Sequence, residues 1–474
     1  MATTTTIYPT DDTHIREPNP TTNYGTGIYL PIGEWSGGRR HALLEFDVSS
    51  FAKPSDIVSA NFSLTAISSS GGSTRNMTLA RLDQSFVDTS ATWNTYNGVD
   101  SWVTAGAEDN AATTQPTYTI EVGATTNQTV DIKPLVIDAI NKRAGVLLLV
   151  IFFSSGASAY TTFGSTDNLS TPNKPSLAVT VANRIEWSGD ANTDVTDSGN
   201  WERGVAPTAN DIAMFISNGE YAPVRNTLTC HKCYIGKNYS QDVGETADYL
   251  TIVADEVYAD TKAQLYLHIT ADEFIIRGSK DIVDGCLLDG TITSVYIMNC
   301  NSEVKIKGTA TISNIYIMSG NRLNPATNTS TGIVSQVIIE DGSDDSNIHC
   351  EGRFNVTDNG ENDDISLYGG GKYVLNNTTE SAGIENLTIA SGSVCYFNSK
   401  EIQTALTMYG GVFTIEDNFH DQLDLPTTIT NFGGFMDFDN GLDSVNAAAF
   451  TGTTATVYNS SVSFGKTITA SLSG

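Results

Sequence analysis

The feature that most constrains this chain is a repeat. Thr291-Ile-Thr-Ser-Val-Tyr-Ile-Met298 returns as Thr311-Ile-Ser-Asn-Ile-Tyr-Ile-Met318, and the pattern comes back in Val334-Ser-Gln-Val-Ile-Ile339, Ile384-Glu-Asn-Leu-Thr-Ile389 and Leu406-Thr-Met408. The first returns fall about 20 residues apart, a period typical of solenoids built from short strands. One such coil cannot bury its apolar edge alone, so Ile, Val, Leu and Phe of successive coils must stack into a continuous inner column. The sequence therefore predicts a parallel β-helix over 227–446. Second strands at Val304–Ile306, Tyr373–Leu375, Val412–Ile415 and Phe435–Phe438 complete the coils. Lys305, Lys307, Thr407 and Asp437 alternate with the apolar positions and are expected to face outward.

The remainder also reads as β. Alternating strands are punctuated by Gly, Asn, Asp, Ser and Thr almost throughout. The exception is Pro134-Leu-Val-Ile-Asp-Ala-Ile140-Asn-Lys-Arg143, where helical spacing, a proline in the first turn and a Gly stop at Gly145 predict one short helix. A boundary falls near residue 183, after the strand Ser176–Ala182. The expected organisation is a jelly-roll-like β-sandwich at 1–183, a capping or linking segment at 184–226, the β-helix, and a Thr- and Ser-rich 447–474. That last segment breaks the repeat and would cap the solenoid or exchange a strand in an oligomer.

Composition excludes several classes. Lys and Arg number 25 against 54 Asp and Glu, a net charge of −29, yet charged residues make up only 17% of the chain. Scattered basic residues argue against nucleic-acid binding, which needs clustered cations on the phosphates. The 39% apolar content and recurrent β-formers argue against disorder. The longest apolar run, Val146 to Phe153, is far short of the roughly 20 residues a membrane helix needs and reads as a buried strand. Six cysteines, all from residue 230 onward, read as free and mostly buried thiols. Cys230 and Cys233 form a C-x-x-C without a second pair at zinc spacing, which favours strand packing over metal binding.

Several ordered motifs in the first domain carry a family resemblance. They are Asp12-Thr-His-Ile15, Asn23-Tyr-Gly25, Leu30-Pro-Ile-Gly33, Arg40-His-Ala-Leu43-Leu44-Glu-Phe46-Asp47, Val58-Ser-Ala-Asn-Phe62-Ser-Leu64, Thr89-Ser-Ala-Thr-Trp93-Asn94 and Tyr160–Ser165 with Pro175–Val179. Together they resemble a DNRLRE-type carbohydrate-binding module, a β-sandwich found on extracellular polysaccharide-acting proteins. Leu43, Leu44, Phe46 and Trp93 match as core. The next segment, with Trp187-Ser-Gly, Asn200-Trp201, Gly204–Pro207 and Asp211–Phe215, is similar to the start found before β-solenoid repeats in surface and viral adhesins and phage fibre or spike proteins.

Candidate sites follow from side-chain chemistry. Tyr and Trp faces stack on sugar rings while keeping a polar edge in water; Tyr24, Trp35, Tyr96 and Trp102 lie in loop-like stretches and are the glycan-contact candidates. Acidic clusters at 341–345, 358–364 and 437–443 read as solvated turns. The last offers Asp437, Asp439, Asn440 and Asp443 as calcium ligands; no other cofactor is expected. No Ser-His-Asp constellation can be assembled, and no catalytic residue is assigned.

The amino terminus shows no basic and apolar leader. A glycan-module sandwich, a β-solenoid and no export address together point to a bacteriophage virion component: a fibre, spike or capsid or tail decoration subunit at the virion surface. Its expected partners are other virion proteins and host-surface polysaccharide, with homotrimerisation expected by analogy with viral spikes. The alternatives are a secreted polysaccharide-degrading β-helix enzyme with an accessory module, or a cellular surface adhesin.

Overall fold

The computed structural model describes residues 2–463, except 35–36, 52, 72–73, 109–110, 124, 153–158, 262, 278–285, 299–302, 308, 319–334, 340–343, 352–353, 359–360, 369–371, 376–383, 391, 398–401, 416–427, 433–434, 438–453 and 458–460. The chain divides into two compact units, Met1–Asn183 and Arg184–Gly474. Among the described residues there is a single α-helix, Lys133–Lys142, and none long and apolar enough to cross a membrane.

The amino-terminal unit is a sandwich of antiparallel sheets. The smaller sheet orders Thr3–Ile7, Ser176–Val181, Ile57–Leu64 and Gln128–Asp131. The larger runs from Ala66–Ser70 through Ala159–Gly164, Tyr29–Glu34, Arg39–Asp47, Val146–Phe152 and Arg75–Arg81 to Tyr118–Val122, with Asp11–Arg16 also on Arg39–Asp47. Leu44, Phe46 and Leu149 of the larger sheet pack on Phe62, Leu177 and Val179 of the smaller. Phe46 and Phe62 meet edge to face with ring centroids 6.0 Å apart, the geometry in which a ring's positive edge meets a negative face.

The apolar run beginning at Val146 does not alternate because its strand is covered on both faces. Leu147, Leu149 and Ile151 face the sandwich core, while Leu148 and Val150 face a second cluster with Leu43, Ala80, Trp93 and Trp102. That second cover is the loop region following Arg81, which folds over the outside of the larger sheet. Such two-sided burial is what a continuous apolar strand requires.

The helix is tied to the larger sheet through charge. Asp138, on its inner side, bonds Arg81 of the neighbouring strand; both are buried, and Arg143 and Asp83 extend the network. A buried charge left without its partner, here the Arg81 guanidinium, costs about 3–5 kcal/mol. Asp138→Ala is accordingly expected to lower the stability of this unit by that amount, measurable by denaturant unfolding; a loss below about 1 kcal/mol would show that the pair is solvated.

The second unit is a β-solenoid of about 21 residues per turn. Its 23 described strands, from Arg184–Glu186 to Ser461–Ser463, form one continuous parallel ladder. The register is set by identity of position. Phe274, Val295, Ile315, Ile348, Ile365, Leu387, Leu406 and Ile429 lie opposite one another on consecutive coils, and all are buried. A second inner column runs through Ile276, Ile297, Ile317, Cys350, Leu367, Ile389 and Met408. Cysteine thus serves as a small apolar filler. The five described cysteines, Cys230, Cys233, Cys286, Cys350 and Cys395, carry thiols and are buried.

Aromatic residues close the first coils. Trp187, Trp201, Phe215 and Tyr239 form a buried chain of ring contacts, with Trp187 and Trp201 at 5.2 Å and nearly perpendicular. Each indole N–H donates to a backbone carbonyl, of Tyr221 and Val195 respectively. Asn200, fully buried, accepts from the backbone N–H groups of Ala191 and Asn192 and donates to the carbonyl of Asp194. The parallel ladder starts inside this stretch, at Arg184.

Two acidic clusters read as turns are drawn into the ladder instead. Asp344 and Asp345 open the strand Asp344–Glu351, and Glu361 to Asp364 open Glu361–Tyr368. The inner column fixes the register of Ile348 and Ile365, and the polar residues before them are carried into pairing with it. Asp364 then sits between Asn347 and Asn386, whose side-chain amide donates to it at 2.7 Å. Because one inner column sets every register, Ile315→Ala is expected to cost about 2–5 kcal/mol, as for other buried large-to-small changes. Thermal unfolding of this unit would check it, and an unchanged midpoint would contradict the stacking account.

Candidate glycan-contact face

The strand Asp11–Arg16 pairs antiparallel with Arg39–Asp47 so that Arg16 lies opposite Arg40. Arg40 lies opposite Gly33, and Gly33 opposite Tyr160. One row across four strands therefore reads Arg16, Arg40, Gly33, Tyr160. Side chains in such a row share one face of the sheet.

Gly33 makes the row possible. Its φ of +126° is a conformation L side chains rarely adopt, and a Cβ there would stand 2.3 Å from the carbonyl oxygen of Ala159. Without a side chain between them, the Arg40 guanidinium lies over the Tyr160 ring, 4.8 Å from its centroid. Arg16 is placed in the same way, 4.3 Å over Tyr24, and its Nε donates to His14 Nε2 at 2.9 Å. His14 in turn stacks on Tyr24 at 4.5 Å, and Asn19 donates to the Tyr24 hydroxyl. Two guanidinium groups are thus each laid on an aromatic ring, an arrangement that holds the planar fork without using up its donors.

The electrostatics is unusual for so acidic a chain. Among the described residues neither Arg16 nor Arg40 forms an ion pair with a carboxylate, and the buried Nε of Arg40 has no hydrogen-bond partner. Burial, then the neighbouring Arg16 charge, hold the Arg40 guanidinium below its ordinary value. His14 is pushed down to about 3 by burial and by the charges of Arg16 and Arg40. It is neutral at ordinary pH and accepts from Arg16. Nearby Arg39, by contrast, is committed to Glu17 and Glu108.

The sequence candidates fall differently. Tyr24 is part of this face, half-buried between His14 and Arg16, and acts as their platform. Tyr96 is half-buried in the loop after Arg81, edge to face with Trp102 at 5.7 Å. Trp102 is not available to stack on a sugar: it is only 3% exposed, and its N–H donates to the Thr92 carbonyl inside the second core cluster. A tryptophan in a loop is as well suited to pinning that loop onto a sheet as to meeting a ligand, and here it does the former. Trp35 lies outside the described residues, as do Asp439, Asn440 and Asp443. Asp437 ends the strand Phe435–Asp437. Among the described residues no three His, Cys, Asp or Glu converge as metal ligands.

Arg16, Arg40, His14 and Tyr160 were not singled out by sequence reasoning. The available signal was arginine inside strand sequence, in a chain with few cations to spend. Spacing alone could not show that strands so far apart in sequence align them.

Residues 3–181 match the family model of carbohydrate-binding module family 96, which covers the sandwich unit and leaves the solenoid outside. No curated protein matches the chain.

The strand that carries His14 also carries Asp12, and the two have opposite pH signatures. Asp12 is pushed up to about 7 by burial, against the pull of the Thr166 backbone N–H donating to it at 2.7 Å. With its folded value above the unfolded one, Asp12 contributes fully below about pH 4, and that contribution is lost as pH rises towards 7. His14, with its folded value depressed, contributes above about pH 6.5 and loses that contribution as pH falls towards 3. Between about pH 4 and 6.5 the two slopes oppose each other. Replacing Asp12→Asn is expected to stabilise the unit at pH 7.5, on the order of a few kcal/mol, with the gain vanishing below about pH 4. Thermal unfolding across pH 4–8 would test this, and a gain independent of pH would refute it.

Proposed function

We propose that the protein is a glycan-binding structural component of a bacteriophage particle, a fibre, spike or decoration subunit that engages host-surface polysaccharide. The observation that carries the glycan reading is the row Arg16, Arg40, Gly33, Tyr160 with Tyr24 beside it. It presents two guanidinium forks, each braced on a tyrosine ring, that suit bidentate carboxylate recognition. The sugars best matched are carboxylate-bearing ones, because two guanidinium groups side by side repel each other until an anion arrives. The family match over the same residues supports the same reading.

The particle role draws on the joining of such a module to a long parallel solenoid, which supplies reach and a regular repeating surface. One unit anchors to other virion proteins and the other projects, and rods of this kind associate side by side as homotrimers. Detection of the chain in purified virions and a trimer mass by light scattering are the expected results. Absence from particles whose other structural proteins are all detected would exclude the particle role.

For the glycan face, Arg16→Ala with Arg40→Ala is expected to weaken binding of an oligogalacturonate hexamer at least tenfold, with an unchanged unfolding midpoint. Calorimetric titration would read it. Equal affinity of the variant and the parent protein would place the binding elsewhere.

A further inference from the structure

The solenoid contains a groove of its own. Its volume is about 390 Å³, within the range of ligand-binding clefts. It follows the bend between the two strands of a coil, where the outward side chains diverge. Thr229, Val253, Thr270 and Thr291 line one wall on successive coils, and Asp255, Asp272 and Thr293 the other. Cys230, Ala254 and Ala271 form the floor between them. They take equivalent places on consecutive coils, where Ile292 and Ile312 follow. Small residues open the groove, and it ends where isoleucine takes over the position.

We propose that this groove is a second glycan site, and that it takes a non-anionic, hydroxyl-rich oligosaccharide. The lining presents hydroxyls and carboxylates and offers no cation. Asp255 is 64% exposed and pairs only with His231, whose Nδ1 lies 2.8 Å from it; among the described residues no Lys or Arg pairs with Asp255 or Asp272. Carboxylates accept strongly from sugar hydroxyls and repel sugar acids. Coils stack about 4.8 Å apart, close to the length of one sugar ring, so the hydroxyls of Thr270 and Thr291 on one wall and the carboxylates of Asp255 and Asp272 on the other recur at neighbouring steps, where adjacent rings of an extended chain can meet them. The apolar part of the lining consists of small side chains, Ala209, Cys230, Ala254 and Ala271, with Val253, which gives the large hydrophobic anchor of a peptide little to pack against. The preference is the reverse of that of the arginine row on the sandwich, and the inference does not depend on that row.

Titration calorimetry of the full chain with cellohexaose, a chitosan hexamer and an oligogalacturonate hexamer tests it. At least one of the first two is expected to bind. Its affinity is expected to fall at least tenfold in Asp255→Asn with Asp272→Asn, and again in Thr270→Met, which fills the groove from an exposed position without entering the core. Arg16→Ala with Arg40→Ala should leave that affinity unchanged, so failure of the sandwich site and failure of this one are distinguishable. The proposal is overturned if neither non-anionic hexamer binds, if the groove variants bind as the parent does, or if only a lysine-containing peptide binds and is lost with Asp255 and Asp272.

Discussion

Everything in the larger unit depends on in-register parallel stacking of like residues. A parallel ladder satisfies backbone groups coil to coil, but it is the inner column from Phe274 to Ile429 that selects one register among many. Slipping a strand by one residue would turn every apolar side chain outward. That constraint reaches the surface as well. Once the inside column is fixed, Tyr296 must stack on Tyr316, at 4.8 Å and nearly parallel, and Tyr234 on Tyr258 in the same way. Outer features of a solenoid are therefore rows, and a groove on it is a row that happens to carry small residues.

The sandwich solves a different problem. Its larger sheet is covered twice, by the smaller sheet on one side and by the loop region after Arg81 on the other, so its central strand contains nothing polar to offer a ligand. The polar row lies at the margin, where Asp11–Arg16, Arg39–Asp47, Tyr29–Glu34 and Ala159–Gly164 bring their ends together. There a glycine removes one side chain and two arginines rest on tyrosines. In a chain of net charge −29 the two cations are conspicuous because no described carboxylate neutralises them.

The two units carry polar rows of opposite charge: on the sandwich two guanidinium groups with no described carboxylate partner, on the solenoid threonine hydroxyls with Asp255 and Asp272. Arginine forks with rings suit anionic sugars, and hydroxyls with carboxylates suit neutral or amine-bearing ones.

The sequence by itself determined the all-β class, the solenoid with its period of about 20 residues and the single helix at Pro134. Each of these is a local or periodic property of the chain, read from apolar alternation and turn residues. It did not determine which side chains meet. Trp102 and Tyr24 look alike as loop aromatics, yet one is sealed into a core and the other supports an arginine, because the loop after Arg81 folds onto a sheet face that only tertiary packing creates. Arg16, Gly33, Arg40 and Tyr160 became one row only through strand pairing. Likewise Asp344 and Asp364 entered strands because a column of isoleucines, assembled from different coils, outweighed the turn preference of the acids around them. Periodicity is written along the chain; a site is written across it, and antiparallel pairing or coil stacking is what converts the one into the other.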